Sequence, residues 1–227
     1  MPLPSPPWSD LAAAITGDLQ TDEGHLILYS TDASVYRERP LAVVFPRSTA
    51  DIVACVRFAA KHQVPLTPRA GGTSLAGQAI GGGLVVDISR HLNNILEINE
   101  AAGYAVVEPG VIRDQLNAAL QPLGYWFGPN TSTANRCTMG GMFGNNSCGS
   151  TSITVGSTRE HVLEAEVVLS DGSLYTARAQ VQGDETKEQS ESQRLTTILT
   201  HLAEVLGDEA NRQSITAAFP RKDVSRR

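Results

Sequence analysis

Between Pro68 and Gly83 the sequence reads PRAGGTSLAGQAIGGG, with six glycines, the hydroxyls of Thr73 and Ser74, and the single charge of Arg69. Successive backbone N–H groups in such a loop form a concavity that binds anions, so phosphate is the first chemistry these residues suit. The flanking residues decide which phosphate. Gly72 and Gly77 have the glycine spacing of a Walker A loop, but Gln78 and Ala79 stand where that motif needs Lys and Ser or Thr. A Rossmann fingerprint needs G-x-G-x-x-G opening a helix, and AIGGGLVVDI leads instead into a strand-like run. What remains is a strand, a glycine loop and a second strand, with anion contacts from the backbone. The alternative is a long flexible connection. Six glycines exceed the needs of a turn, which favours the anion loop.

A second segment, GPNTSTANRCTMGGMFGNNSCGS (Gly128–Ser150), joins glycines to Thr, Ser and Asn side chains, which are neutral donors and acceptors. Two such segments suit an elongated ligand gripped at two places. Arg69 reads either as part of the phosphate loop or as a solvated surface charge. His161 reads as a turn-holding residue, and Trp126 and Phe127 as strand core.

The elements that must position these loops follow from the pattern of apolar residues. Residues 1–7 are proline-rich and expected to fray, and Ser9 is placed to cap a helix over Asp10–Ile15 ending at Gly17. LAVVF (Leu41–Phe45) is an unbroken apolar run of the kind found in a buried parallel strand. Ser48 and Asp51 form a capping-box pattern, after which Ile52, Val56 and Ala59 share one helical face. VPLT (Val64–Thr67) then completes a βαβ unit that feeds the glycine loop. LVVDI (Leu84–Ile88), ILEIN (Ile95–Asn99) and YAVVEP (Tyr104–Pro109) read as short strands, and VIRDQLNAALQPLG as a helix with Ile112, Leu116 and Ala119 or Leu120 inward. Asp171-Gly172 predicts a type I′ hairpin turn. Gln180–Gln193 reads as a loop, followed by two helices.

The chain has 227 residues, a net charge of −6, 19% charged residues and 41% hydrophobic residues, which is a globular composition. The acidic balance argues against nucleic acid, which needs a basic face. The sequence has no signal-peptide pattern and no apolar stretch of transmembrane length, so no integral membrane segment is expected. Cys55, Cys137 and Cys148 make neither a disulfide framework nor a metal pair; they read as reduced thiols of a cytoplasmic protein, with no metal site.

Six stretches together resemble the FAD-binding PCMH-type domain of the vanillyl-alcohol oxidase / p-cresol methylhydroxylase superfamily. They are YSTDASVYRERPLAVVFPRSTADI, VPLTPRAGGTSLAGQ, GLVVDISRHLNNILEIN, VEPGVIRDQLNAAL, TMGGMFGNNSCGS and VGSTREHVLEAEVVLSDG. The likeness runs from Tyr29 to Ala179 and is nearest the FAD-linked oxidase branch of D-lactate dehydrogenases and glycolate oxidase D-subunits.

This resemblance implies an α+β fold, a small parallel βαβ part beside a larger mixed or antiparallel sheet, with FAD between them. It implies an N-terminal arm over 1–35 and an FAD-binding domain over 36–227, with its core near 40–180 and helices and the start of a linker over 181–227. By the same resemblance Arg69, Ala70, Gly71, Gly72, Thr73 and Ser74 would wrap the FAD pyrophosphate, and Gly77 and Gln78 would lie toward the flavin. Pro129 and Ser132 would line the flavin side, with Trp126 and Phe127 as a second, less favoured wall of that pocket. Thr138, Gly141, Asn145 and Ser147 would follow the ribityl chain and diphosphate, and Val162 the adenine edge. Some members carry a flavin-bonding histidine where this chain has Thr73, so noncovalent FAD is implied.

The implied function is oxidation of a 2-hydroxy acid, a small-molecule substrate, by hydride transfer to the flavin. The alternatives are a reductase resembling UDP-N-acetylenolpyruvoylglucosamine reductase and a non-enzymatic FAD-binding module. Relatives of this kind continue into a C-terminal substrate domain, and often an iron–sulfur region, so such partners are expected beyond Arg227.

Overall fold

A computed structural model describes residues 6–178 and 193–219. Helix α1 (Trp8–Ala14) begins one residue before the expected cap: Pro7 occupies the cap position, and the Ser9 hydroxyl donates to Asp10 instead. The chain turns extended at Ile15, so the helix stops short of Gly17. Two elements that the apolar pattern does not announce follow. Strand β1 (Asp18–Gln20) is too short to show a period, and α2 (Glu23–Leu28) starts at Asp22, whose carboxylate accepts the His25 N–H at 3.2 Å.

The apolar runs make the centre of the sheet. Strand β2 (Ala42–Phe45) leads into α3 (Thr49–His62), then β3 (Leu66–Arg69) and, past the glycine loop, β4 (Leu84–Asp87). Their order is β1-β2-β4-β3, with β2, β4 and β3 parallel and β1 antiparallel against β2. Every residue of β2 and β4 is buried, as their apolar continuity requires. The expected βαβ unit is therefore present. Strand β3 lies at the sheet edge, where Pro68 is tolerated because its missing N–H leaves no ladder bond unmade. It starts two residues later than Val64 and ends on Arg69, paired with Asp87, so the strand delivers Arg69 directly to the loop.

Helix α3 has the expected cap, with Ser48 accepting the Asp51 N–H at 3.2 Å. Its buried face is rotated from the predicted one: Asp51, Cys55, Phe58 and Ala59 point inward, while Ile52 and Val56 are half-buried. The reason is Asp51. Its carboxylate turns into the structure to accept the N–H groups of Thr16 at 2.9 Å and Arg47 at 2.8 Å, together with the Thr16 hydroxyl. One face of the sheet packs Leu11, Val44, Cys55, Phe58, Leu84 and Val86; the other packs Leu26, Val43, Phe45 and Val85, with Tyr29 against them. Each fully buried side chain of this kind contributes about 1.5–3 kcal/mol.

Strands β5 (Ile95–Asn99) and β6 (Tyr104–Val107) form an antiparallel ribbon with an irregularity at Ile95/Glu97. Helix α4 (Arg113–Leu120) buries Leu116, while Ile112 is half-buried at the cap and Val111 takes the inward place before it. The second glycine-rich segment contains the short helix α5 (Met139–Gly144), and α6 (Ser152–Val155) follows it. These elements belong to one compact unit, residues 1–161; residues 162–227 form another.

The second unit holds the hairpin β7 (Glu164–Val168) and β8 (Leu174–Arg178) and the helices α7 (Gln193–Gly207) and α8 (Glu209–Ala218). Its turn is not type I′. Only Gly172 has a positive φ, +77°, and Asp171 does not, whereas type I′ needs both. The Gly172 N–H returns to the Leu169 carbonyl and the Leu169 N–H reaches Ser173, which is a type I turn closed by a glycine bulge. Asp171 favours it by accepting the Ser173 N–H at 2.9 Å. The expected loop, as far as Ser192, and the first five of the residues expected to fray lie outside the described residues. Among the described residues no helix is long and apolar enough to cross a membrane.

Asp51 gives this fold an acid-sensitive point. Burial opposes its charge, but the N–H groups of Thr16 and Arg47 and the Thr16 hydroxyl outweigh that and hold the carboxyl below its ordinary range. A depressed folded pKa means stability present above the unfolded value, about 3.9, and lost as pH falls through the folded one. Asp51→Asn is expected to lower the unfolding free energy at neutral pH by about 1.5–3 kcal/mol. Urea titrations of both proteins at neutral pH and at successively lower pH below about 4 should show the gap closing.

Candidate functional site

Strand β3 opens into the glycine loop directly after Arg69, and the chain turns back at Gly72, whose φ is +61°. That left-handed geometry is costly for a residue with a Cβ. A Cβ on Gly72 would stand 2.7 Å from Arg69 Nη2, and one on Gly71 would overlap the backbone carbonyl oxygen of Arg136. The loop therefore lies in backbone contact with the second glycine-rich segment.

The donors of the two segments are arranged differently. Among the described residues the N–H groups of Gly71, Gly72, Thr73 and Ser74 donate to no protein acceptor. Further along, the N–H groups of Ala76 and Gln78 reach Ser74 Oγ at 3.2 and 3.3 Å, and that of Ala79 reaches Asp32 at 3.4 Å. In the second segment several backbone donors are already used. Gly140 N–H binds the Pro109 carbonyl at 2.8 Å, Gly141 N–H binds Thr138 Oγ1 at 3.3 Å, and Ser147 N–H binds the Met142 carbonyl at 2.8 Å. The first segment offers an uninterrupted run of backbone donors to an outside acceptor; in the second the N–H groups of Gly140, Gly141 and Ser147 are taken.

Side chains connect the segments. The Ser74 hydroxyl donates to Gln78 Oε1, Gln78 Nε2 donates to Asn145 Oδ1 at 3.4 Å, and Asn145 Nδ2 donates to Ser147 Oγ at 3.3 Å. Ala70 meets Gly141, where a Cβ would stand 3.0 Å from the alanine methyl. Arg69–Gln78 and Thr138–Ser147 are thus brought together. Thr138 is 2% exposed and its hydroxyl caps α5, which leaves that oxygen committed to the helix start. Pro129 is buried, its carbonyl accepting from Arg113 Nε at 3.2 Å, while Ser132 is exposed. Thr151 Oγ1 donates to the Gly128 carbonyl at 3.4 Å, which ties the start of the second segment, around Pro129, to the residue just past its end. Val162 is the first residue of the second compact unit.

Trp126 is 59% exposed and no strand runs through residues 125–130, so the strand-core reading is corrected: glycine and proline at 128 and 129 keep this stretch irregular. The Phe127 ring meets His161 edge-on at 5.5 Å, and His161 Nε2 donates to the Val155 carbonyl at 2.6 Å, holding the turn. Burial pushes the Cys55 thiol up to about 12, making it inert, and the Cys137 thiol lies 3.2 Å from Thr131 Oγ1. Among the described residues no cluster of His, Cys, Asp and Glu could hold a metal ion.

The site also contains residues that the sequence reading did not single out. Arg69 Nη1 donates to the carbonyls of Thr31 and Ala79, and its guanidinium lies over the Tyr29 ring. Tyr29 in turn donates to Asp87 at 2.7 Å. An acidic residue closing the apolar run LVVD was the visible signal. Burial first, and then the bond to Asp87, push the Tyr29 phenol well up, so it stays a neutral donor.

A family model described as an FAD binding domain matches residues 40–178. D-2-hydroxyglutarate dehydrogenase from Escherichia coli (strain K12) is 48% identical over 162 residues, covering 70% of this chain and 16% of that protein. Glycolate oxidase subunit GlcD from Bacillus subtilis (strain 168) is 38% identical over 151 residues, covering 65% of this chain and 32% of that protein. The chain thus spans less than a third of the length of either relative. Among solved structures, an alkyldihydroxyacetonephosphate synthase superposes with a TM-score of 0.68 at 20% identity, over 78% of this chain and 36% of that one, a likeness of fold alone. A 4-ethylphenol oxidase from Gulosibacter chungangensis superposes with a TM-score of 0.63 at 28% identity, over 74% of this chain and 33% of that one.

The contact between the segments can be tested at Gly71. Gly71→Ala forces a methyl group against backbone and is expected to cost about 1–3 kcal/mol of stability. Gly144→Ala, at a helical glycine with nothing within 4 Å of a new Cβ, is expected to be neutral or to stabilise by about 0.5–1 kcal/mol. Urea unfolding of the two variants beside the parent measures both.

Proposed function

The chain belongs to the FAD binding domain family, and on that premise we propose that it is the flavin-holding part of an enzyme that oxidises a 2-hydroxy acid. The observation that carries the reading is the run of unbonded N–H groups from Gly71 to Ser74, at a bend that only glycine adopts without strain. A pyrophosphate fits such a cradle, because neutral donors satisfy its oxygens without burying several cations in a chain of net charge −6.

In this reading Arg69, Ala70, Gly71, Gly72, Thr73 and Ser74 surround the pyrophosphate, with Gly71, Gly72 and Thr73 as backbone donors. Gly77 and Gln78 lie toward the flavin. Pro129 and Ser132 line the flavin side, and Thr138, Gly141, Asn145 and Ser147 follow the ribityl chain and diphosphate. The commitment of the Thr138 hydroxyl to its helix favours a backbone contact there. When bound, FAD supplies the acceptor for the hydride that leaves the α-carbon of the alcohol.

The names of the relatives, a D-2-hydroxyglutarate dehydrogenase and a glycolate oxidase subunit, support the 2-hydroxy acid class. Their much greater length supports a substrate-holding region outside these residues. Positioning a reactant can supply roughly 7–11 kcal/mol of a barrier reduction, so this chain alone should bind FAD without turning substrate over. Attachment of FAD is reversible in this reading, because a threonine at position 73 has no ring nitrogen to form a flavin bond.

The experiment is FAD titration of the chain followed by acid precipitation. Saturable quenching of flavin fluorescence is expected, with the yellow colour left in the supernatant. Dye-linked assays of the same sample with D-2-hydroxyglutarate, D-lactate and glycolate should show no turnover. The absence of FAD binding would refute the cofactor reading, and flavin in the pellet would refute reversible attachment.

A further inference from the structure

Arg69 is the only charge between Pro68 and Gly83, yet its guanidinium is engaged with protein carbonyls. Nη1 donates to the Thr31 carbonyl at 2.9 Å and to the Ala79 carbonyl at 3.1 Å. Ala79 lies at the far end of the loop and is buried; Thr31 belongs to the chain before β2. The same stretch holds the loop twice more, through Ala33 N–H to the Gly72 carbonyl at 3.1 Å and through Asp32 to the Ala79 N–H at 3.4 Å. Burial opposes the charge of Asp32, but the bonds from Ser34 and Ala79 and the nearby Arg69 outweigh it, so Asp32 remains an ionised acceptor.

The guanidinium is also held from below. Its central carbon lies 5.0 Å from the centroid of the Tyr29 ring, which packs edge-on against Phe45 at 5.6 Å. The Tyr29 hydroxyl donates to Asp87, 5% exposed, whose other oxygen accepts the N–H and hydroxyl of Ser89. Asp87 stands opposite Arg69 in the β3–β4 register. Turning the guanidinium outward to a phosphate would abandon the ring contact and leave the buried Ala79 carbonyl without its donor. An unpaired buried acceptor is expensive.

We infer that Arg69 is a positioning residue: clamped between Tyr29 and the carbonyls of Thr31 and Ala79, it fixes the loop whose N–H groups from Gly71 to Ser74 have no protein acceptor, and it is not the counter-charge of the pyrophosphate. This rests on the FAD reading. A counter-charge and a clamp respond differently to substitution and to salt. Lysine keeps the charge but lacks the planar guanidinium that stacks on the Tyr29 ring while its Nη1 bonds both carbonyls. An ionic contact with phosphate weakens with ionic strength, and its removal flattens that dependence.

The test measures Kd for FAD and for ADP with the parent chain and with Arg69→Lys, Arg69→Met and Tyr29→Leu, at several salt concentrations. Circular dichroism checks that each variant is folded. The expected result is tenfold or greater weakening with both Arg69 variants, the lysine giving no rescue, and equal losses for FAD and ADP. The slope of log Kd against log salt should match the parent. Tyr29→Leu, which removes the ring beneath the guanidinium and no charge, should weaken both ligands at least threefold and keeps the inference testable if the Arg69 variants fail to fold. Parent-like affinity in Arg69→Lys, with a flatter salt slope in Arg69→Met, would overturn it, as would an unchanged Kd in Tyr29→Leu. A parent chain that binds neither ligand would refute the FAD reading, a separate result that removes this inference with it.

Discussion

The backbone contact between Gly71 and the Arg136 carbonyl is the constraint on which the site depends. It requires a residue without a Cβ at the place where β3 gives way to the loop, and it holds the first glycine-rich segment against the second. With that side of the loop closed by protein, and Gly72 bending it through a left-handed conformation, the N–H groups from Gly71 to Ser74 are left without protein acceptors. The second segment folds into α5 with Thr138 capping the helix, and the N–H groups of Gly140, Gly141 and Ser147 are bonded within the protein. The two glycine-rich stretches look alike in composition and have different physical roles.

The sheet supplies the anchorage. Fully buried β2 and β4 hold the edge strand β3 in parallel register, which fixes Arg69 opposite Asp87 at the mouth of the loop. From there Asp87, Tyr29 and Arg69 form a polar chain that passes from the buried strand end to the carbonyls of Thr31 and Ala79. Neutral donors without protein acceptors, with charges satisfied behind them, are the arrangement by which the proposed site would let an acidic chain bind an anion. The cost of desolvating unpaired charge is avoided.

The strands were legible because unbroken apolar runs leave few alternatives, and the crossover helix because its cap is local. The rotation of α3 was not legible, since a pattern of apolar residues cannot show that Asp51 is buried by donors from Thr16 and Arg47, distant in sequence or on the loop before it. β1 is defined by its partner and leaves no period of its own. The hairpin turn failed on a single φ, because Asp-Gly serves both a type I′ turn and a type I turn with a bulge. At the site, glycine content identified the loop and could not say which N–H groups stay free. The clamp around Arg69 joins residues from Tyr29 to Asp87, a relation of tertiary structure that no spacing encodes.

The central claim is that FAD is held by backbone donors of the first loop. Proton–nitrogen correlation spectra of the chain, titrated with FAD and read at assigned backbone amides, test it most directly. The account predicts that Gly71, Gly72, Thr73 and Ser74 show the largest saturable amide shifts, while Gly140 and Gly141, already bonded to Pro109 and Thr138, move little. Saturable FAD binding that leaves the amides of Gly71 to Ser74 unmoved would contradict it.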